Sequence, residues 1–107
     1  MALRENLEAM LAGGRDDALL RYTLGNEYLK IGDPAAAAEH LRVAVAQDPG
    51  YTAAWRQLGK ALSQSGDEAG ALAAWETGRA AAIAGGDVQA GKEMTVFIRR
   101  LQKKSGR

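Results

Sequence analysis

Apolar side chains recur every three to four residues along the chain, and short breaks rich in Gly and Asp divide that pattern into six segments. Residues 2–12 place Leu3, Leu7, Met10 and Leu11 on one helical face, and Gly13-Gly14 ends the segment. Asp16 or Asp17 then caps a second helix with the face Leu20, Leu24, Tyr28 and Ile31, closed by Gly32. Asp33-Pro34 supplies an N-cap and a first-turn proline for a third, whose stripe is Ala37, Leu41, Ala44 and Val45 and which stops at Asp48-Pro49-Gly50. A fourth carries Trp55, Leu58, Gly59 and Leu62 up to Gly66, and a fifth, capped by Asp67, carries Ala71, Leu72, Trp75 and Gly78. After Gly85-Gly86-Asp87 the last segment sets Met94, Phe97, Ile98 and Leu101 on one side.

The middle four segments repeat. A shift of 34 residues superimposes Leu24-Gly25 on Leu58-Gly59, Gly32-Asp33 on Gly66-Asp67, Ala35 on Ala69, Ala37 on Ala71, and Ala46 on Ala80. Glycine inside a helix costs roughly 1 kcal/mol relative to alanine. Two such glycines at matching positions, Gly25 and Gly59, predict a close approach by the second helix of each pair, with Ala37 and Ala71 as the small counterparts.

The second unit reads Trp55-x2-Leu58-Gly59-x2-Leu62, then Ala71-x3-Trp75; the first reads Leu24-Gly25-x2-Tyr28, then Ala37-x3-Leu41, and ends at Pro49. This pattern resembles the tetratricopeptide repeat, a helix–turn–helix unit. Arg21 stands at the family's Trp position, Leu62 at its Tyr position and Ile83 at its closing Pro, so the fifth helix is expected to continue to about Ala84. The resemblance implies an all-α, short right-handed helix–turn–helix solenoid of about six helices in one domain: an N-terminal helix over 2–12, repeats at 18–51 and 52–85, and a C-terminal capping helix over 87–104. Repeat stacks need atypical end units to cover apolar faces that lack a neighbour. On that reading the last helix shields Trp75 and the Ala80–Ile83 stretch.

Composition narrows the function. The chain has 107 residues with no cysteine and one histidine, so thiolate metal sites, disulfides and His-based triads lack their parts. His40 reads as a solvated surface residue, and the carboxylate pairs Asp16-Asp17 and Asp67-Glu68 as helix caps. No enzymatic activity, metal or cofactor is expected. A net charge of +1 argues against nucleic acid as a partner, and the basic run Arg99, Arg100, Lys103, Lys104 and Arg107 reads as cations at a helix C-terminus. No segment reaches the roughly 20 apolar residues of a membrane span, Glu5 and Glu8 interrupt any signal-like start, and the expected location is the cytoplasm.

In the family that the pattern resembles, first helices of successive repeats line a concave surface that binds extended peptides. Here that surface is expected to comprise Leu19, Tyr22, Asn26, Leu29 and Lys30 from the first repeat and Arg56, Lys60, Ser63 and Gln64 from the second. Some relatives hold a peptide's terminal carboxylate with Lys and Asn side chains; Asn26 matches one of them, while Tyr22 and Gln57 replace others. Arg56 and Lys60 share a face and make it mildly positive, whereas the second helices carry Glu39, Glu68 and Glu76. The expected function is therefore a protein–protein interaction module for an extended, acidic protein or peptide segment. The alternative is a self-associating unit, a homodimer through the groove or through end helices bearing Met94, Phe97, Ile98 and Leu101.

Overall fold

A computed structural model describes residues 3–106. Six α-helices account for nearly all of them: α1 Leu3–Ala12, α2 Ala18–Lys30, α3 Pro34–Gln47, α4 Thr52–Gln64, α5 Glu68–Ala84 and α6 Val88–Gly106. Ala2 and Arg107, which the sequence reading includes in the first helix and the basic run, lie outside the described residues.

A two-residue Gly-Asp device makes the sharp turns. At Gly32-Asp33 the glycine takes φ +80°, which lets the Asp33 amide turn back and donate to the Tyr28 carbonyl at 2.9 Å. The Asp33 carboxylate then accepts from the Ala36 amide at 3.1 Å and caps α3. Gly66-Asp67 does the same between α4 and α5, with Asp67 N to Leu62 O at 2.8 Å and Gly70 N to the Asp67 carboxylate at 2.9 Å. Gly86-Asp87 repeats it before α6. Asp17 caps α2, but its neighbour Asp16 does not cap; it is bonded to Arg21 and Gln47. The proline-free end of α5 runs to Ala84, as expected.

Packing follows from what enters the glycine gaps. A Cβ at Gly25 would stand 2.5 Å from Leu41 Cγ, and one at Gly59 would overlap the Trp75 indole. Ala37 and Ala71 are fully buried, yet they are not the groups that meet the glycines. The gap admits a large side chain from the second helix rather than a second backbone. A third gap, Gly78, lies 2.5 Å from the Trp55 Cβ by the same measure. Trp75 is further pinned by its indole N–H, which donates to the Arg56 carbonyl at 3.1 Å.

The helices stack so that α2 touches α4 and α4 touches α6, while α3 and α5 make no mutual contact. The first helices are therefore drawn together along one side of an elongated body, 45 × 29 × 18 Å. At its far end α6 packs on α5 and buries Met94, Ile98 and Leu101, with the Phe97 ring 5.2 Å from that of Trp75. It covers Trp75 and Ala82 but not the whole expected stretch: Ile83, at the edge where α5 meets α6, remains 71% exposed. At the near end α1 has α2 as its single neighbour. One neighbour covers only a narrow stripe, so Leu7 is buried and Leu11 half-buried, while Leu3 and Met10 face outward, against the four-residue face expected. Ile31 is also exposed, since α2 ends one residue before it.

A polar chain secures this end. Tyr28 donates its hydroxyl to Glu8 of α1 and stacks on His40 of α3, with ring centroids 5.4 Å apart. Arg21 donates to His40 Nδ1 at 3.2 Å and to Asp16 at 2.8 Å, and Gln47 donates to Asp16 at 2.9 Å. Arginine only donates, so Nδ1 is the acceptor and the neutral ring carries its proton on Nε2. His40 is thus a half-buried packing residue rather than a solvated one. The Arg21 guanidinium and the Gln47 amide hold the Asp16 carboxyl far below the usual carboxylate range.

Two outcomes follow. Removing residues 87–107 should expose Trp75 and the side chains that α6 covers, each worth roughly 1.5–3 kcal/mol when fully buried, so the fragment should aggregate or lose cooperative unfolding. A monomeric 1–86 fragment melting near the full-length temperature would show that α6 is dispensable for the fold. For His40, burial first and then the Arg21 cation lower the imidazole pKa below its ordinary value of 6.5. Below that value the unfolded chain takes a proton that the folded chain resists, so stability should fall as the pH drops from about 7 to about 5. Denaturant titrations should show that His40→Gln flattens this slope; an unchanged slope would assign it to other groups.

Candidate functional site

A groove of about 570 Å3 opens between α4 and α6, with Trp75 of α5 at its base. Register places its walls. Arg56, Lys60, Ser63 and Gln64 follow one another at helical spacing along α4, and Glu93, Phe97, Arg100 and Lys104 do so along α6. Leu101 and Phe97 continue the apolar floor from Trp75. The Gly59 gap sets that floor, because it lets the indole slide under α4 and reach the Arg56 carbonyl.

Four cations surround the apolar floor, and two are neutralised within the chain. Arg56 donates to Glu93 at 3.0 Å, tying α4 to α6 across the groove. Lys104 pairs with Glu68 at 2.8 Å, which raises the lysine pKa. Lys60 and Arg100 have no ion pair among the described residues. The groove therefore offers an aromatic and aliphatic bed between two unbalanced positive charges. That arrangement can hold apolar side chains alongside carboxylates; it has no nucleophile with an adjacent base. Among the described residues no three His, Cys, Asp or Glu side chains are grouped to hold a metal ion.

Of the residues singled out in the sequence, Arg56, Lys60, Ser63 and Gln64 line this groove. Those from α2 do not. Tyr22 packs on Tyr51, with ring centroids 4.9 Å apart, and Leu29 is half-buried against the main core. Asn26 accepts from Gln57 at 2.9 Å, so its amide oxygen is engaged in joining α2 to α4. Lys30 pairs with Glu27 at 3.0 Å, and Leu19 is exposed near the start of α2. The sequence reading gives α6 as a cap or a self-association face and does not place Glu93, Phe97, Arg100 and Lys104 opposite α4. The spacing of Glu93, Phe97, Arg100 and Lys104 is the sequence signal that marks a second, amphipathic face on it.

Comparison with known proteins agrees with this architecture. A family model described as tetratricopeptide repeat matches residues 18–61. A TPR repeat-containing protein of Pseudomonas aeruginosa is 58% identical over 99 residues, covering 92% of this chain and 94% of that protein. The solution structure of a Bordetella parapertussis protein is 52% identical and superimposes with a TM-score of 0.83, over 97% of this chain and 90% of that one. The crystal structure of a tetratricopeptide repeat domain protein from Salinibacter ruber shares the fold at 23% identity, with a TM-score of 0.76 over 82% of this chain and 98% of that one. Among the described residues no helix is long and apolar enough to cross a membrane. The six-helix all-α solenoid, the paired glycine gaps and these relatives together establish that the chain belongs to the tetratricopeptide repeat family.

Proposed function

We propose that this chain is a non-enzymatic interaction module that binds an extended, acidic protein segment along the side formed by α2, α4 and α6, with the α4–α6 groove as the main contact. Tetratricopeptide repeat proteins generally mediate protein–protein interaction. One observation carries the finer reading: Lys60 and Arg100 stand unbalanced on either wall of a groove floored by Trp75, Phe97 and Leu101. A segment alternating apolar and acidic residues matches that bed, and its charges would speed encounter as well as fix register. The two helix pairs, 18–51 and 52–85, supply α2 and α4, and α6 completes the groove as its second wall. The exposed parts of Tyr22, Asn26 and Leu19 extend the contact toward α2. Of the α6 residues Met94, Phe97, Ile98 and Leu101, three are buried and Phe97 is half-buried in the groove, so self-association by way of α6 would use the same groove.

The test starts from a partner captured with the tagged full chain and identified by mass spectrometry. Titration at low salt should then show Lys60→Glu with Arg100→Glu weakening its binding roughly tenfold or more. Arg56 is left intact, because reversing it would also break the Glu93 pair. Arg42→Glu, on the exposed side of α3, should leave affinity unchanged. Full binding by the double variant would place the partner elsewhere on the surface.

A further inference from the structure

We propose that a second surface, the trough between α5 and α6 on the side away from the groove, docks an amphipathic helix of a partner whose apolar stripe is flanked by Asp and Glu. The trough holds about 500 Å3 and shares no residue with the α4–α6 groove. Its floor is apolar: Ala82 is buried at the bottom, and Ile83, Val88 and Val96 stand 71%, 68% and 44% exposed along its edges. These are three of the exposed large apolar side chains of the described residues, gathered in one place.

Charge identifies the occupant. Arg79, Lys92 and Arg99 rim the trough, and none has an ion pair among the described residues. Arg79 reaches only the Thr95 hydroxyl, at 3.5 Å. The single carboxylate on the rim, Asp87, already accepts from the Ala90 amide as the cap of α6. The cations of the α4–α6 groove are half neutralised by Glu93 and Glu68, whereas none of these three forms an ion pair among the described residues; an acidic partner supplies the missing pairs.

Shape selects a helix over an extended strand. The solenoid grows by a fixed rule in which each first helix receives a second, antiparallel one: α3 on α2, and α5 on α4. Helix α6 lies beside α4 as the next first helix, and no described helix packs against its remaining side. From Val88 to Arg99 the trough runs about three turns, some 16 Å at 1.5 Å per residue. That length fits a short helix with apolar residues at i, i+3 or i+4, and i+7. A flat anionic surface could reach the rim charges but not the Ala82 floor.

The probe is a synthetic 18-residue helical peptide with Leu at those positions and Glu on both flanks, alongside a copy with Lys in place of every Glu. Titrated into the isotopically labelled full chain at low salt, the Glu peptide should shift the amide resonances of Ile83, Val88, Gly91, Thr95 and Val96. The Lys peptide should not bind. Arg79→Glu with Arg99→Glu should weaken the Glu peptide roughly tenfold, and Val96→Asp should abolish its shifts, while both variants keep the native spectrum elsewhere. Lys60→Glu with Arg100→Glu should leave this titration unchanged, which separates it from the α4–α6 groove. Equal binding of the two peptides, or shifts centred on Lys60 and Phe97, would overturn the proposal. So would concentration-dependent shifts at Ile83 and Val88 without peptide, because the occupant would then be a second copy of the chain.

Discussion

Everything in this molecule depends on one kind of contact, a large side chain of a second helix seated in a gap that glycine leaves in the first. Leu41 fills the gap at Gly25 and Trp75 the gap at Gly59. The glycines sacrifice helix propensity on the order of 1 kcal/mol each. In return the helices of a pair approach closely enough for these residues to be almost wholly removed from water. The Gly-Asp turns bring the helices back antiparallel, but the gaps fix where along their length they meet. Each pair is then a rigid unit, and stacking the units is largely a matter of covering alanine.

The same contact shapes the α4–α6 groove. Trp75 passes beneath α4, donates to the Arg56 carbonyl and lies against Phe97 of α6. It therefore couples the packing of the second pair to the floor of the α4–α6 groove, and it spaces the two walls that carry Lys60 and Arg100. Charge is distributed unevenly around this frame. Intramolecular carboxylates quiet part of the groove, at Arg56 and Lys104, whereas the cations of the α5–α6 trough form no ion pair among the described residues. A nearly neutral chain thus presents two local positive surfaces, each over an apolar bed.

Much of the fold can be read from the sequence, because helix ends and repeat spacing are local signals. Asp33, Asp67 and Asp87 announce helix starts, Gly32 and Gly66 announce stops, and the structure places its helix boundaries beside them. The core of α3 is likewise apparent from Ala37, Leu41, Ala44 and Val45. What escapes is anything set by how many neighbours a helix has. Leu3 and Met10 look like core but face outward, because α1 has one neighbour rather than two. Small residues suggest close backbones and so point to Ala37 and Ala71 as the groups that meet the glycines; the actual partners, Leu41 and Trp75, are one turn further along. The candidate site shows the same division. The stripe Arg56, Lys60, Ser63 and Gln64 follows from helical period alone, but its facing wall depends on where α6 lands. Asn26 is open to a ligand by sequence alone, but its amide oxygen accepts from Gln57 in the fold.

The most direct test of this account is a double-mutant cycle at Gly59 and Trp75, with stability read from denaturant unfolding. Gly59→Ala alone should destabilise by about 1–3 kcal/mol, since the added methyl must displace the indole. In a Trp75→Leu background the same substitution should cost far less, or stabilise through the helix preference for alanine. Gly91→Ala serves as the reference for propensity alone, because a methyl there meets nothing closer than the Ala82 Cβ at 3.9 Å. A strong coupling between the Gly59 and Trp75 changes is the predicted result. Strictly additive penalties would contradict the account, because the glycine would then be small for a reason other than the residue that fills its gap.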